Sequence, residues 1–468
     1  MGSPGSQKAG EYIKDVFSEY GLEPVNKYSS YSQPFEIKVR HLNNDSRLSI
    51  GSKIFELKWS FIPMYFSAEG EMSGISCFAK FGLNIDDYKG CGGKIASVLY
   101  GGEDKNTESE KNELIFKKIE LAQESGAKGL IIITNSVNAI YNDLTTFPEF
   151  IPPAYLKRWQ SQHPSMTDTL LEIKTTSTVS RQKLPLINIP VVMAILDGEK
   201  SIEGLTANIK VKFKDSIITG RNIIGLIKGG DDNPLNPPLL RGSDEIVVIG
   251  AHYDHLGKDG EGNIFYGADD NSSGIAALLE IASAFSKAKD KLKRSVLFIA
   301  FDGEEWGLQG AKAYVENPSF PHEKTIAMLN MDTIGRNKPD EIYILGSLRS
   351  PDLKRLNDRV NVVRLFDKLK AHHDHPEHVE GLKLLDTIEF AFDYGSDHYP
   401  FYEKGIPSID YTSSYHEDFH KVTDTVEKVE IDKVSKVAEL IFRVAYEIAT
   451  TDIKFDKPKN VYVPFPKK

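Results

Sequence analysis

With 468 residues, 40% of them hydrophobic, the chain is long enough for two or three domains with filled cores. A formal net charge of -10 argues against a nucleic-acid partner, and no stretch approaches the roughly 18 uninterrupted apolar residues of a membrane span. Two cysteines, Cys77 and Cys91, exclude a disulfide scaffold and a cysteine-rich zinc site, while one bridge or two buried thiols both stay open.

In chain order, the opening Met1-Gly-Ser-Pro-Gly-Ser lacks the basic start and apolar run of a secretory leader. Ala9, Tyr12, Ile13, Val16 and Phe17 then share one side of a helix over residues 8–20 that stops at Gly21. A strand is expected over 33–42. Short strands with Gly punctuation follow from residue 60, then a strand over 93–100, a helix over 113–124 and a strand over 130–134. The polar, Pro-containing stretch 145–183 reads as an irregular surface excursion, and strand character resumes between 217 and 228. Beyond 240, expected strands at 245–251, 294–301, 325–331, 341–345 and 407–411 alternate with helices at 273–288, 307–316, 351–362 and 431–449. That alternation predicts an α/β fold, a mixed and mostly parallel sheet with helices on both faces. The Lys- and Pro-rich tail after Thr450 reads as a surface strap.

The residues that carry chemistry fall where open α/β sheets place their ligand sites, just after apolar strands. They are His252, Glu304, Glu305 and Asp332, joined by Asp254 two residues past His252, by Asp270 beside Asp269 in a Gly-rich loop directly before a helix and, far downstream, by His420. Oxygen and imidazole donors in these numbers suit two zinc ions that share one bridging carboxylate, each ion keeping two private ligands. His252 and Asp332 would serve one ion, Glu305 and His420 the other, and Asp270 would bridge. Glu304 is then left over as the general base, taking a proton from the shared water and passing it to the leaving amine. Asp254, two residues after His252, is spaced to accept the second ring N–H and fix the tautomer.

Other motifs carry less. His372, His373, His375 and His378 lie in a Pro- and acid-rich loop that reads as solvated. Ser396-Asp397-His398 lists triad residue types side by side, whereas a triad draws its members from separated positions, so the segment reads as structural support near the site. Arg336 and Lys338, just past Asp332, could face a substrate carboxylate but read better as surface groups.

Ala251-His-Tyr-Asp-His-Leu-Gly257, Gly267-Ala-Asp-Asp-Asn-Ser-Ser-Gly274, Phe301-Asp-Gly-Glu-Glu-Trp-Gly307, Leu329-Asn-Met-Asp-Thr-Ile-Gly335, Ser396-Asp-His-Tyr-Pro-Phe401 and His420-Lys-Val-Thr-Asp-Thr425 resemble, in order, the motifs of the di-zinc aminopeptidase family. That family also holds glutamate carboxypeptidase, glutaminyl cyclase relatives and the non-enzymatic transferrin receptor. The resemblance implies the zinc exopeptidase fold, and the family's spacing to Gly274 selects Asp270 over Asp269 as the bridge. It further implies a protease-associated domain at 60–212, β-rich and of α+β type, inserted between peptidase segments 1–59 and 213–468. Such inserts usually shape substrate access or bind partners. Many relatives carry Tyr immediately before the last histidine, as an oxyanion donor; here Phe419 stands there, leaving Tyr411, Tyr415 or the metal to replace it.

The implied activity is that of an aminopeptidase acting on peptides or small proteins. A carboxypeptidase or dipeptidase with the same centre is the alternative, and a receptor-like binding protein that has lost its chemistry is a third reading. Relatives with such inserts are often exported, which suggests an extracytoplasmic location. Oligomeric state and side-chain preference are not readable from the sequence.

Overall fold

The computed structural model describes residues 1–25, 30–57, 60–64, 67–102, 108–134, 188–196, 202–230, 243–258, 262–371, 382–386 and 395–459. The expected excursion at 145–183 and the histidine-rich loop at 372–378 lie outside them. The chain divides into two compact units, one made of Met1–Ile37 and Ile218–Lys468, the other of Lys38–Ile217.

In the larger unit, the strands run in the order Ser32–Leu42, Phe213–Ile227, Arg294–Phe301, Ser243–His252, Thr325–Met331, Ser408–Thr412, Glu341–Leu345 and Lys383–Asp386. Ser243–His252 pairs in parallel with both Arg294–Phe301 and Thr325–Met331, and the latter pairs in parallel with Ser408–Thr412. Phe213–Ile227 and Glu341–Leu345 join antiparallel, so the sheet is mixed around a parallel centre. Sequences such as Val296-Leu-Phe-Ile-Ala300 are apolar at every position because both faces are covered. Val247, Ile249, Val296, Phe298 and Leu329 pack with residues of the helices Pro4–Glu19, Gly274–Ala288 and Ile431–Thr450. Their neighbours Ile246, Val248, Leu297, Ile299 and Met328 pack with Ala311, Tyr314 and Phe401 from helices Gln309–Glu316 and His398–Glu403.

The first helix begins at Pro4, where Ser3 caps it by accepting the Ser6 N–H and Pro fits the first turn. Helix Pro351–Ala371 runs nine residues beyond the expected end at 362, since no Gly or Pro interrupts the sequence before Pro376.

The smaller unit is a separate mixed sheet in the order Lys53–Phe55, Arg47–Ile50, Thr206–Val211, Gly70–Phe78, Ile95–Leu99, Gly129–Thr134, Val191–Ile195 and Phe61–Pro63, with helix Glu108–Glu124. It starts well before the expected boundary at 60. Arg47–Ile50 pairs with Thr206–Val211, a contact distant in sequence that local patterning does not reveal. Cys77 and Cys91 are joined by a disulfide across a sequence separation of 14. A loop of that length restricts the unfolded chain by about 3 kcal/mol. Replacing both cysteines by serine is therefore expected to lower the stability of this unit by about that amount, read as a shifted urea midpoint at unchanged slope.

Candidate metal centre

Parallel pairing sets the strand ends level: His252 lies beside Phe301, Gly250 beside Asn330, and Met331 beside Tyr411. The residues that follow these ends therefore face one another. His252 closes its strand, Glu304 and Glu305 follow the turn at Asp302-Gly303, and Asp332 follows Met331. His420 arrives from the segment after Ser408–Thr412.

Asp270 stands at the centre. Its Oδ1 is 3.3 Å from His252 Nε2, and its Oδ2 is 3.1 Å from His420 Nε2. His252 Nε2 also lies 3.3 Å from Asp332 Oδ1, and His420 Nε2 lies 3.2 Å from Glu305 Oε2. Asp269 turns the other way, its Oδ1 accepting the Gly335 N–H at 2.6 Å. All five expected ligands thus come together, and Asp270 rather than Asp269 faces both histidines.

These spacings fit coordinated metal better than hydrogen bonding. Ligand atoms about 2.0 to 2.1 Å from a tetrahedral zinc ion are separated by about 3.3 Å. Among the described residues, Asp270 Oδ2 is buried and has no hydrogen-bond partner, although His420 Nε2 is 3.1 Å away. Such an oxygen, aimed at a nitrogen but not bonded to it, suits an ion between them. His252, Asp270 and Asp332 form one trio able to hold a cation, and His255, Asp270 and Glu305 form a second that His420 also reaches. His255 had no assigned role in the sequence reading, although its motif contained it.

Charge points the same way. Burial works against ionisation of His252, yet Asp332, Glu304 and Asp270 outweigh it and hold the imidazole well above its ordinary pKa. For His420, burial is likewise outweighed, by Glu305 and Asp270. Burial would raise Glu305, but His420 and His255 bring its carboxyl down to about 2. The cluster draws in positive charge. For Glu304, burial together with Asp332, Glu305 and Asp397 lifts the carboxyl well above the usual range, against the pull of His252.

Asp254 departs from expectation. The His252 Nδ1 meets the main-chain carbonyl of Asp254 at 3.1 Å, and the carboxylate stands 3.8 Å away. That carboxylate instead accepts the backbone N–H of Glu304 at 3.0 Å. Asp254 therefore fixes the backbone of Glu304 and touches His252 through its peptide.

Tyr411 is also excluded as an oxyanion donor, since its buried hydroxyl donates to Asn357 Oδ1 at 2.5 Å. Phe419 stacks on the His420 ring, centroids 3.9 Å apart, and Tyr415 packs against Phe419 at 4.5 Å. Arg336 is not a surface group: its Nη2 pairs with Asp418 Oδ2 at 2.8 Å, and its Nη1 is buried without a hydrogen-bond partner among the described residues. Lys338 pairs with Glu341 at the surface. The Ser396 hydroxyl accepts the Asn330 amide at 2.8 Å, beneath the site and not as a nucleophile.

Sequence comparison agrees with the geometry. Residues 222–445 match the model of peptidase family M28. Aminopeptidase YwaD of Bacillus subtilis is 28% identical over 287 residues, covering 59% of this chain and 54% of that protein. The chain thus spans about half the length of this curated relative. Among solved structures, an aminopeptidase from Aneurinibacillus sp. strain AM-1 superposes with a TM-score of 0.58 at 21% identity, covering 100% of this chain and 93% of that one. The zinc aminopeptidase BSAP of Bacillus subtilis gives 0.54 at 20% identity, covering 98% and 93%. At these identities the structures speak for the fold. Residues 222–445, the span that matches the peptidase family M28 model, contain every one of the converging side chains.

Proposed function

We propose that this chain is a zinc-dependent aminopeptidase with two ions held by His252, Asp270, Glu305, Asp332 and His420. The observation that carries the reading is Asp270, buried with one oxygen toward each histidine at 3.3 and 3.1 Å. Bound there, zinc would lower the pKa of a shared water and polarise the scissile carbonyl. Glu304, its backbone tied by Asp254, takes the water's proton and delivers it to the departing amine. Burial that favours its protonated form suits a group that must hold a proton between those two transfers. Phe419 supplies no hydroxyl and Tyr411 is engaged elsewhere, so a bound zinc ion or the exposed Tyr415 would have to stabilise the oxyanion.

The relatives named aminopeptidases favour removal of N-terminal residues. The carboxypeptidase alternative needs a cation for the substrate carboxylate; of the two sequence candidates, Lys338 pairs with Glu341 at the surface and Arg336 gives its Nη2 to Asp418. The smaller unit, Lys38–Ile217, is read as a protease-associated domain. Its disulfide supports an oxidising, extracytoplasmic location.

Three measurements test this. Free-amine peptides should be hydrolysed and N-acetylated ones spared; cleavage of the blocked peptides alone would reject the aminopeptidase. Glu304→Gln should keep its zinc, by metal analysis, while kcat falls by roughly 10²- to 10⁴-fold. Dialysis against a chelator should abolish turnover and zinc should restore it, with full activity in metal-free protein counting against the reading.

A further inference from the structure

We propose that His255 is a positioning residue that pins one oxygen of Glu305 and so leaves the other as a single-oxygen donor to the metal shared with His420. The inference rests on the metal-centre reading above and adds a residue to it.

Two histidines approach Glu305 and Asp270, and distance separates their roles. His420 Nε2 lies 3.1 Å from Asp270 Oδ2 and 3.2 Å from Glu305 Oε2, close to the edges of a coordination tetrahedron. His255 Nδ1 lies 2.7 Å from Glu305 Oε1 and 3.8 Å from Asp270 Oδ2. If a zinc ion about 2.0 to 2.1 Å from each atom bound both Nδ1 and Oε1, a 2.7 Å edge would force an angle of about 80°, far from tetrahedral. The same distance is ordinary for an imidazole N–H donating to a carboxylate oxygen. The carboxylate is thereby divided, Oε1 to His255 and Oε2 toward Asp270 and His420.

Packing holds the ring for this contact. Among the described residues, His255 Nε2 is buried and has no hydrogen-bond partner, so no second hydrogen bond orients the imidazole. Gly267 lies against the ring instead. It has a φ of +58°, and a Cβ there would stand 2.7 Å from two His255 ring carbons. The His255 ring also meets that of His420 edge-on, centroids 5.8 Å apart. A glycine is thus required both for the backbone turn and to admit the imidazole.

The test uses full-length apo-protein titrated with zinc against a chromophoric chelator, without reference to peptide turnover. In His255→Ala, one of the two zinc affinities should fall roughly 10- to 100-fold and the other should hold. In His255→Asn the amide nitrogen takes the place of Nδ1, and most of that loss should be recovered. Cobalt bound in place of zinc should give the same visible absorption envelope in wild type and His255→Asn. Unchanged zinc affinities in His255→Ala would overturn the proposal. A cobalt spectrum altered in His255→Asn, with affinity unrecovered, would also overturn it and make His255 a ligand. A chain that binds two zinc ions yet cleaves no peptide would sink the proposed activity and leave this inference standing.

Discussion

Burying Asp270 between two imidazoles is the constraint on which the rest of the site depends. A carboxylate taken from water in this way is tolerated only beside opposing charge. Burial works against its ionisation, and His252 and His420 more than reverse that, holding the group well below its usual range. Asp332 then shares His252 with it, and Glu305 shares His420. Burial, and after it repulsion from Asp332 and Glu305, raises Glu304, which has only the pull of His252 against it, whereas the histidines lower Asp270 and Glu305 against their own burial. Cations satisfy such a cluster and pay for its assembly.

The loops that bear these groups are fastened to one another and not merely to the sheet. Asp424, four residues after His420, accepts the backbone N–H of both Asp269 and Asp270 at 3.1 Å. Asn271 donates to the Met331 carbonyl at 2.8 Å, and its oxygen accepts from Gly274 and Thr333. The segments carrying His420, Asp270 and Asp332 are therefore cross-tied, and Asp254 does the same for Glu304. Thr333 and His420 both adopt left-handed backbone, at φ of +54° and +56°. Non-glycine residues in that region store strain, which these ties hold in place.

Much of this was legible in the chain because it is local. Apolar runs bounded by turns placed the strands 294–301, 325–331 and 341–345 to the residue. Carboxylates and histidines just past such runs pointed to a site at the strand ends. The resemblance to a family then separated Asp270 from Asp269, and in the structure Asp269 turns to the Gly335 N–H while Asp270 faces both histidines. Long-range pairing was not legible. The start of the smaller unit depends on Arg47–Ile50 meeting Thr206–Val211, and the disulfide on Cys77, near the end of Gly70–Phe78, coming within reach of Cys91 in the loop before Ile95–Leu99.

Residue types and their order after each strand were thus fixed by the sequence alone, since pattern and turn chemistry act over a few residues. Direction was decided only in three dimensions. Whether Asp254 meets His252 by side chain or by carbonyl, whether Tyr411 faces solvent or Asn357, whether Arg336 is free or held by Asp418, and whether His255 reaches Glu305 all depend on partners 50 to 82 residues away. Hydrogen bonds and ion pairs extend about 3 Å and demand orientation, so only packing that brings distant segments together can choose among them.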